Sequence, residues 1–365
     1  MKIWYFTMTS SEPHTAPVQS RTRWHAFLVA SGIMLSRMAG LVRESVFAYF
    51  FGNSAAADAL KAAFRIPNLL QNLFGEGVLS ASFIPVYANL MARGEKEEAD
   101  RVAGAIAALL MAATSVLVLI GVLATPLIID LVTPGFEGPK RDLCIVLVRI
   151  LFPGAGLLVW SAWCLGILNS HGRFFLSYAA PVVWNLVIIV AMIFFGGRTG
   201  EEGLAEWVAW GSVAGSAAQI LIQLPVVLRL LGRFRLSLNH RVTHVREVVR
   251  NFVPVFFSRG VVQISSYIDA MLASFLPTGA VAAFTYAQIL YTLPVSIFGM
   301  SVSAAELPAM SRATGSEAEI ADYLRKRLNA GLRQIAFFIV PSAMALFALG
   351  DIITAALYQR GKFTA

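Results

Sequence analysis

The feature that most constrains this chain is the stretch "MLSRMAGLVRESVFAYFFG" at residues 34–52. It is apolar enough to lie in a membrane, yet it contains Arg37, Arg43 and Glu44. Each charge at the centre of a bilayer costs about 2.5–3.5 kcal/mol even on the lenient insertion scale. Such residues are tolerated where they face the interior of a helix bundle or a water-filled cavity, so the stretch predicts one of these.

The composition indicates a polytopic membrane protein. Of the 365 residues, 57% are hydrophobic and 14% are charged, whereas a soluble domain has about 25% charged residues. A bilayer-spanning helix needs about 20 apolar residues. Nine stretches meet this length: 26–51, 57–92, 102–133, 143–168, 175–196, 204–231, 252–276, 280–310 and 332–350.

Positive charge in the loops predicts the orientation, because loops rich in Lys and Arg stay in the cytoplasm. The 229–250 loop contains six arginines against the single acid Glu247. Counting spans backward from this loop predicts a multi-pass membrane protein with a cytoplasmic N-terminus. Residues 1–25, which have no apolar core typical of a signal peptide, are expected to form a disordered cytoplasmic lead.

An internal repeat divides the rest of the chain. "LSRMAG" (35–40) resembles "FSRGVV" (257–262), and "SASFIP" (80–85) resembles "SAAELP" (303–308), with a proline between the two motifs in each copy. The matching order and spacing of these motifs indicate two duplicated six-helix lobes that are related by an axis along the membrane normal. We therefore expect an all-α membrane protein with two pseudo-symmetric six-helix lobes around a central cavity.

The predicted lobes differ in completeness. Residues 26–231 form an N-lobe with transmembrane helices 1–6, and residues 251–365 form a partial C-lobe with helices 7–9 and the start of helix 10. Residues 232–250 join them as a cytoplasmic amphipathic linker, because valines at helical spacing alternate with arginines there, a pattern typical of a helix on the inner leaflet. The second lobe ends early, so a truncated sequence is expected.

The intramembrane charges are the candidate site residues. Arg37 and Glu44 share a helix face, and a bend at Gly40 would aim Arg37 and Arg43 at one cavity. The remaining candidates are Asp58, Arg65, Glu76, Arg259 and Asp269. Guanidinium groups bind phosphate oxygens in pairs and stay charged at cellular pH, so the cluster favours a substrate with an anionic head group. The alternative to a substrate site is that these charges form internal ion pairs that hold the lobes together.

No motif for bond-making chemistry competes with this interpretation. The sequence lacks a Walker A loop, a G-x-S-x-G elbow, an H-E-x-x-H pair and paired metal-binding cysteines. We therefore expect neither an enzyme nor a metal site, no bound cofactor and no nucleic-acid partner. Energy for transport would come from an ion gradient (Na⁺ or H⁺), the membrane potential or the substrate gradient.

The sequence resembles the MurJ (MviN) family of lipid II flippases, of the multidrug/oligosaccharidyl-lipid/polysaccharide exporter superfamily. The resemblance rests on "SRMAGLVRE" (36–44), "ADALKAAFRIPNLLQNLFGEGVLSASFIPV" (57–86), "TPGF" (133–136), "LPAMSR" (307–312) and "GKFTA" (361–365). It implies a fourteen-helix fold, alternating access and, as substrate, undecaprenyl-diphosphate carrying the peptidoglycan disaccharide-pentapeptide. Membrane lipids and the cell-wall synthesis machinery are further expected partners.

The resemblance also implies residue roles. Arg37 and Arg43 match arginines thought to hold the diphosphate, Asp58 and Glu76 match two acids of the second helix, and Asp269 resembles an acid proposed to bind sodium in some members.

Two family cations are missing, because Gln71 and Ile289 stand where arginines are expected. Gln288 and Thr292 likewise replace an expected Asp and Glu. We hypothesise that Arg259, equivalent to Arg37 in the repeat, replaces the second-lobe cation.

We therefore expect a lipid II flippase. The alternatives are a flippase or exporter for another polyprenyl-linked glycan or a drug, which the missing arginines favour, and a membrane scaffold without transport activity.

Overall fold

The computed structural model describes residues 18–232, 234–237, 243–299, 302–303, 306, 310 and 316–363. These residues form helices joined by short connections, and no strand occurs among them. The first eight helices are α1 Val18–Phe51, α2 Ala55–Phe74, α3 Glu76–Ala92, α4 Lys96–Leu123, α5 Thr125–Val132, α6 Gly138–Ser170, α7 Phe174–Phe195 and α8 Glu201–Leu230. They are followed by α9 Thr243–Ser274, α10 Ala280–Pro294 with a π-helical extension Val295–Gly299, and α11 Glu317–Tyr358.

Six helices in the described part of the chain are long and apolar enough to cross a membrane: α4, α6, α7, α8, α10 with its extension, and α11. The predicted spans 26–51, 57–92 and 252–276 correspond to α1, the α2–α3 pair and α9. Helices α1, α2 and α9 carry most of the intramembrane charges that the sequence singles out, whereas α3 is only 17 residues long. Their charges must face something other than lipid.

Helix α6 is the centre of the N-lobe, where it packs on α2, α3, α4 and α8, while α7 joins α1 to α8. The buried Trp163 of α6 donates its indole N–H to the Ala103 carbonyl of α4 at 3.2 Å. Helix α1 begins at Val18, so residues 18–25 of the predicted lead are helical, and residues 1–17 lie outside the described part. The helix is interrupted at "GEG" (75–77), because α2 ends at Phe74 and α3 begins at Glu76.

The C-lobe segment repeats this plan as far as it extends. Helices α9 and α10 correspond to α1 and α2 by the sequence repeat, and α11 corresponds to α4 followed by α5. The break at Ala124 between α4 and α5 has its counterpart in the non-helical backbone of Leu349 inside α11. The predicted all-α fold class is confirmed, because the described residues are nearly all helical and contain no strand.

The lobes are joined crosswise at one end of the bundle, which we call the latch end. The backbone N–H of Gly135, beyond α5, donates to the Ser274 hydroxyl at the end of α9 at 3.1 Å. The equivalent connection on the other side runs from the Lys362 N–H, beyond α11, to the Tyr49 carbonyl of α1 at 2.9 Å. Each lobe therefore holds the first helix of the other lobe.

Asp58 strengthens this closure from inside the bundle. Its fully buried carboxylate accepts the Lys140 ammonium at 2.6 Å and the N–H groups of Gly279 and Ala282 at 2.7 and 2.8 Å. The carboxylate thus caps the N-terminus of α10, where unpaired N–H groups attract an anion. It connects α2 of the N-lobe to α10 of the C-lobe.

The opposite end, which we call the linker end, differs from the sequence expectation. The sequence predicts that the valines after residue 240 lie on the lipid leaflet, but Val245, Val248 and Val249 belong to α9, which continues into the bundle; Val242 lies outside the described residues. Val245 and Val248 are buried against the N-lobe core, because the ends of α4 and α8 offer an apolar surface there. Tyr87 and His171 are hydrogen-bonded nearby at 2.9 Å, and burial, aided by Lys96, lowers the pKa of His171.

The close approach at Gly135 predicts that Gly135→Val opens the latch end. A Cβ atom there would lie 2.2 Å from the Ser274 carbonyl oxygen, so the two lobes must separate to accommodate it. Spin labels at the exposed positions Leu131 and Leu276 should then show a longer distance than in the parent protein. Gly197→Val is the matched control, because no atom lies near Gly197. Unchanged label distances in Gly135→Val would contradict the latch.

Candidate functional site

Two adjoining cavities of about 490 Å³ each lie between the lobes. Helices α1, α2, α6, α7, α8 and α10 line both cavities, and α9 adds to the first. The residues common to both are Arg43, Glu44, Gln71, Leu158, Trp184 and Ile289. Arg37, Arg43, Glu44 and Arg65 therefore lie along these adjoining cavities between the lobes.

Glu44 organises the cations of this space. Its Oε1 accepts the Arg43 guanidinium at 2.6 Å, and its Oε2 accepts the Lys61 ammonium of α2. Glu44 and Lys61 are buried, and Lys61 Nζ also lies 3.9 Å from the ring centroid of Phe47 and 4.9 Å from that of Tyr286. The aromatic faces stabilise a desolvated cation. The cluster keeps a net positive charge, because one carboxylate faces two cations.

Arg43 also lies against an aromatic wall. Its guanidinium carbon is 4.8 Å from the centroid of the Trp184 ring, whose indole N–H donates to the Ser212 carbonyl at 3.1 Å. That hydrogen bond fixes the ring between α7 and α8, so the ring presents a defined face to the guanidinium. Arg43 is thus held by one charged and one aromatic partner at the boundary of both cavities.

Arg65 connects the lobes across the first cavity. Its guanidinium donates to the Ser266 carbonyl of α9 at 2.9 Å and to the Gln288 amide oxygen of α10 at 3.0 Å. Both partners are neutral, so the charge of Arg65 is not cancelled by either of them. An anion in the cavity would be a stronger partner than either carbonyl oxygen.

Arg37 marks the second cavity, which it lines together with Ser36 and Gly40. Its side chain is exposed. The second cavity lies between α1 and α10, and these two helices make little contact with each other.

The other predicted site residues lie elsewhere. Asp58 belongs to the latch end, as described above, and lines neither cavity. The guanidinium of Arg259 lies against Gly77, where a Cβ atom would be 2.9 Å from a guanidinium nitrogen. Asp269 is exposed on α9, and neither it nor Arg259 is among the lining residues. The side chain of Glu76 lies outside the described part of the structure.

The positions at which the sequence departs from the MurJ pattern do face the cavities. Gln71 and Ile289 line both of them, Gln288 lines the first and Thr292 lines the second. The cavities therefore carry less positive charge than the MurJ pattern predicts, because neutral residues stand at two positions where cations are expected.

Sequence reasoning missed Lys61. The residue shares one face of α2 with Arg65, Asn68 and Asn72, which all line the first cavity. The spacing of this polar face, at intervals of three and four residues, is the signal that could have identified it. Among the described residues, no group of His, Cys, Asp and Glu is arranged to hold a metal ion.

The family model described as "Lipid II flippase MurJ" matches residues 47–365. The chain belongs to the MurJ family. Its curated MurJ relatives include a lipid II flippase from Burkholderia cenocepacia, 33% identical over 94% of this chain and 67% of the relative. A probable lipid II flippase from Bdellovibrio bacteriovorus is 32% identical over 93% of this chain and 65% of the relative. The chain thus spans about two thirds of the length of these relatives.

A solved MurJ structure, described as lipid II flippase MurJ in an inward closed conformation, matches 93% of this chain and 69% of its own with a TM-score of 0.76 at 27% identity. A multidrug transporter of the MATE family in an inward-facing conformation matches with a TM-score of 0.66 at 17% identity and shows the shared fold. MurJ membership and the six apolar helices make the chain an integral inner-membrane protein.

The shared carboxylate predicts that Glu44→Gln is destabilising. The substitution leaves Lys61 and Arg43 without a counter-ion, and breaking a buried ion pair on one side costs about 3–5 kcal/mol. The melting temperature of the purified protein in detergent should therefore fall. The double variant Glu44→Gln with Lys61→Met should recover most of this loss, because it removes the unpaired ammonium. A double variant no more stable than Glu44→Gln would contradict the pairing.

Proposed function

We propose that this chain is a flippase that moves lipid II across the bacterial cytoplasmic membrane by alternating access. The observation that carries the proposal is the charge of the cavities between the lobes. Their lining contains four cations, Arg37, Arg43, Lys61 and Arg65, and one carboxylate, Glu44, among the described residues. A diphosphate joined to a polar saccharide matches such a cavity in both charge and polarity.

Glu44 would act as an internal stand-in for the substrate. Its carboxylate holds Arg43 and Lys61. An entering diphosphate would take over hydrogen bonds from both cations, while Arg65 would exchange its carbonyl partners for phosphate oxygens. Several exchangeable contacts suit a transporter better than one tight site, because the substrate must be released on the other side of the membrane.

The latch end would face the outside of the cell and the linker end the cytoplasm. The linker end carries a cluster of positive charge, which favours the cytoplasm: Arg93, Lys96, Arg101, Arg173, Arg229, Arg235, Arg246 and Arg250. The N-terminus would then also be cytoplasmic. In this arrangement the lobes are closed on the outside, and the head group enters between α1 and α10 while the lipid tail stays in the bilayer.

The energy source and further partners are part of the same proposal. An Na⁺ or H⁺ gradient or the membrane potential would drive the change between states, and Asp269 is a proposed cation ligand. Arg259, whose guanidinium lies against Gly77 at the α2–α3 interruption, would act with Glu76 on closure of the linker end. Association with the cell-wall synthesis machinery would deliver lipid II to its site of use.

The proposal predicts that Arg43→Ala abolishes function. The variant should fail to support growth of cells depleted of their own lipid II flippase, and lipid II should accumulate on the cytoplasmic side. Arg43→Lys should retain part of the activity, because it keeps the charge but loses the paired hydrogen bonds. Arg198→Ala, an exposed arginine outside both cavities, serves as control. Normal growth and translocation with Arg43→Ala would refute the proposal.

A further inference from the structure

The second cavity has a wall of neutral polar groups on the N-lobe, separate from the cations of α1 and α2. Asn185 of α7 and Gln219 of α8 both line this cavity together with Arg37 and Arg43. Both side chains are nearly buried, with exposures of 5% and 6%. One cavity therefore presents two kinds of chemistry: guanidinium groups on one side and carboxamides on the other.

Hydrogen bonds hold part of this wall in place. The Gln219 side-chain amide donates to the Ser161 hydroxyl of α6 at 2.7 Å, and that hydroxyl donates to the Gln223 side-chain oxygen at 2.6 Å. These two hydrogen bonds join α6 to α8 in the buried core of the N-lobe. The carboxamide of Gln219 is consequently fixed in orientation with respect to the cavity.

One acceptor of the wall has no partner. The Asn185 amide nitrogen donates to the Pro181 carbonyl at 3.0 Å. Its side-chain oxygen is buried and has no hydrogen-bond partner among the described residues. An unsatisfied buried acceptor costs about 1–3 kcal/mol, and this one belongs to a cavity-lining residue. A hydrogen-bond donor brought into the cavity by a ligand would satisfy this oxygen.

We propose that Asn185 and Gln219 form a saccharide subsite, in which their carboxamides bind hydroxyl and acetamido groups of the substrate. This inference rests on the proposed function and extends it to the part of the head group beyond the diphosphate. Neutral amides pair with sugar hydroxyls as donor and acceptor, whereas phosphate oxygens need only donors. The diphosphate would bind near Arg43, and the sugar would extend toward α7 and α8.

The subsite would make Asn185 a specificity-determining residue. A polyprenyl diphosphate without sugars would satisfy the cations but leave the Asn185 oxygen unpaired. A site built for hydrogen bonding discriminates against ligands that lack the matching groups, because its buried polar atoms then remain unsatisfied. Selection for the glycosylated lipid would thus arise on the N-lobe wall.

The test compares the binding of two lipids, lipid II and undecaprenyl diphosphate, to purified variants by native mass spectrometry. Asn185→Leu and Gln219→Leu should each weaken lipid II binding about three- to tenfold and leave undecaprenyl diphosphate binding unchanged. Retained binding of the sugar-free lipid also shows that the variants are folded. Ser216→Ala is the matched control, because this buried hydroxyl of α8 bonds to the Ser212 carbonyl of its own helix and lines neither cavity.

The outcomes separate the two proposals. The saccharide subsite would be overturned if Asn185→Leu and Gln219→Leu weakened the binding of both lipids equally, or if they weakened the binding of neither lipid. Neither result would by itself overturn the diphosphate site. If the parent protein binds neither lipid, or if Arg43→Ala binds both normally, the proposed function fails first. Selective loss of lipid II in the two carboxamide variants, with both lipids lost in Arg43→Ala, is the result that we expect.

Discussion

The interaction on which the site depends is the sharing of Glu44 between Arg43 and Lys61 inside the membrane-spanning bundle. An isolated charge at this depth would cost several kcal/mol, so each cation needs a partner when no substrate is present. One carboxylate serves both cations and leaves the cluster positive. The protein thereby keeps an anion-attracting cavity without exposing bare charges to a low-dielectric environment.

The duplicated fold places this cluster where it can be used. Helices α1 and α2 belong to one lobe and α9 and α10 to the other, and the cavity is the space between these pairs. The crosswise contacts at Gly135 and Lys362 close one end without filling the centre.

Much of the fold could be predicted from the sequence, because apolar length and the internal repeat are strong signals. The interruption at residue 75 and the cavity positions of Arg37, Arg43 and Arg65 follow from proline, glycine and charge placement in the sequence. The role of Asp58 could not be predicted from the sequence, because its partners Lys140 and Gly279 are distant along the chain. Lys61 was missed because a lysine among alanines resembles an ordinary helix residue until α10 brings Tyr286 against it. The valines at 245 and 248 were misplaced because amphipathicity alone does not distinguish a lipid surface from a protein surface.

The central claim is that the cations around Glu44 receive a diphosphate, and a structure of the purified protein with lipid II bound tests it most directly. The account predicts phosphate oxygens within hydrogen-bonding distance of Arg43 and Lys61, with Glu44 displaced from at least one of them. A lipid II diphosphate bound outside both cavities, with the Glu44 ion pairs unchanged, would contradict it.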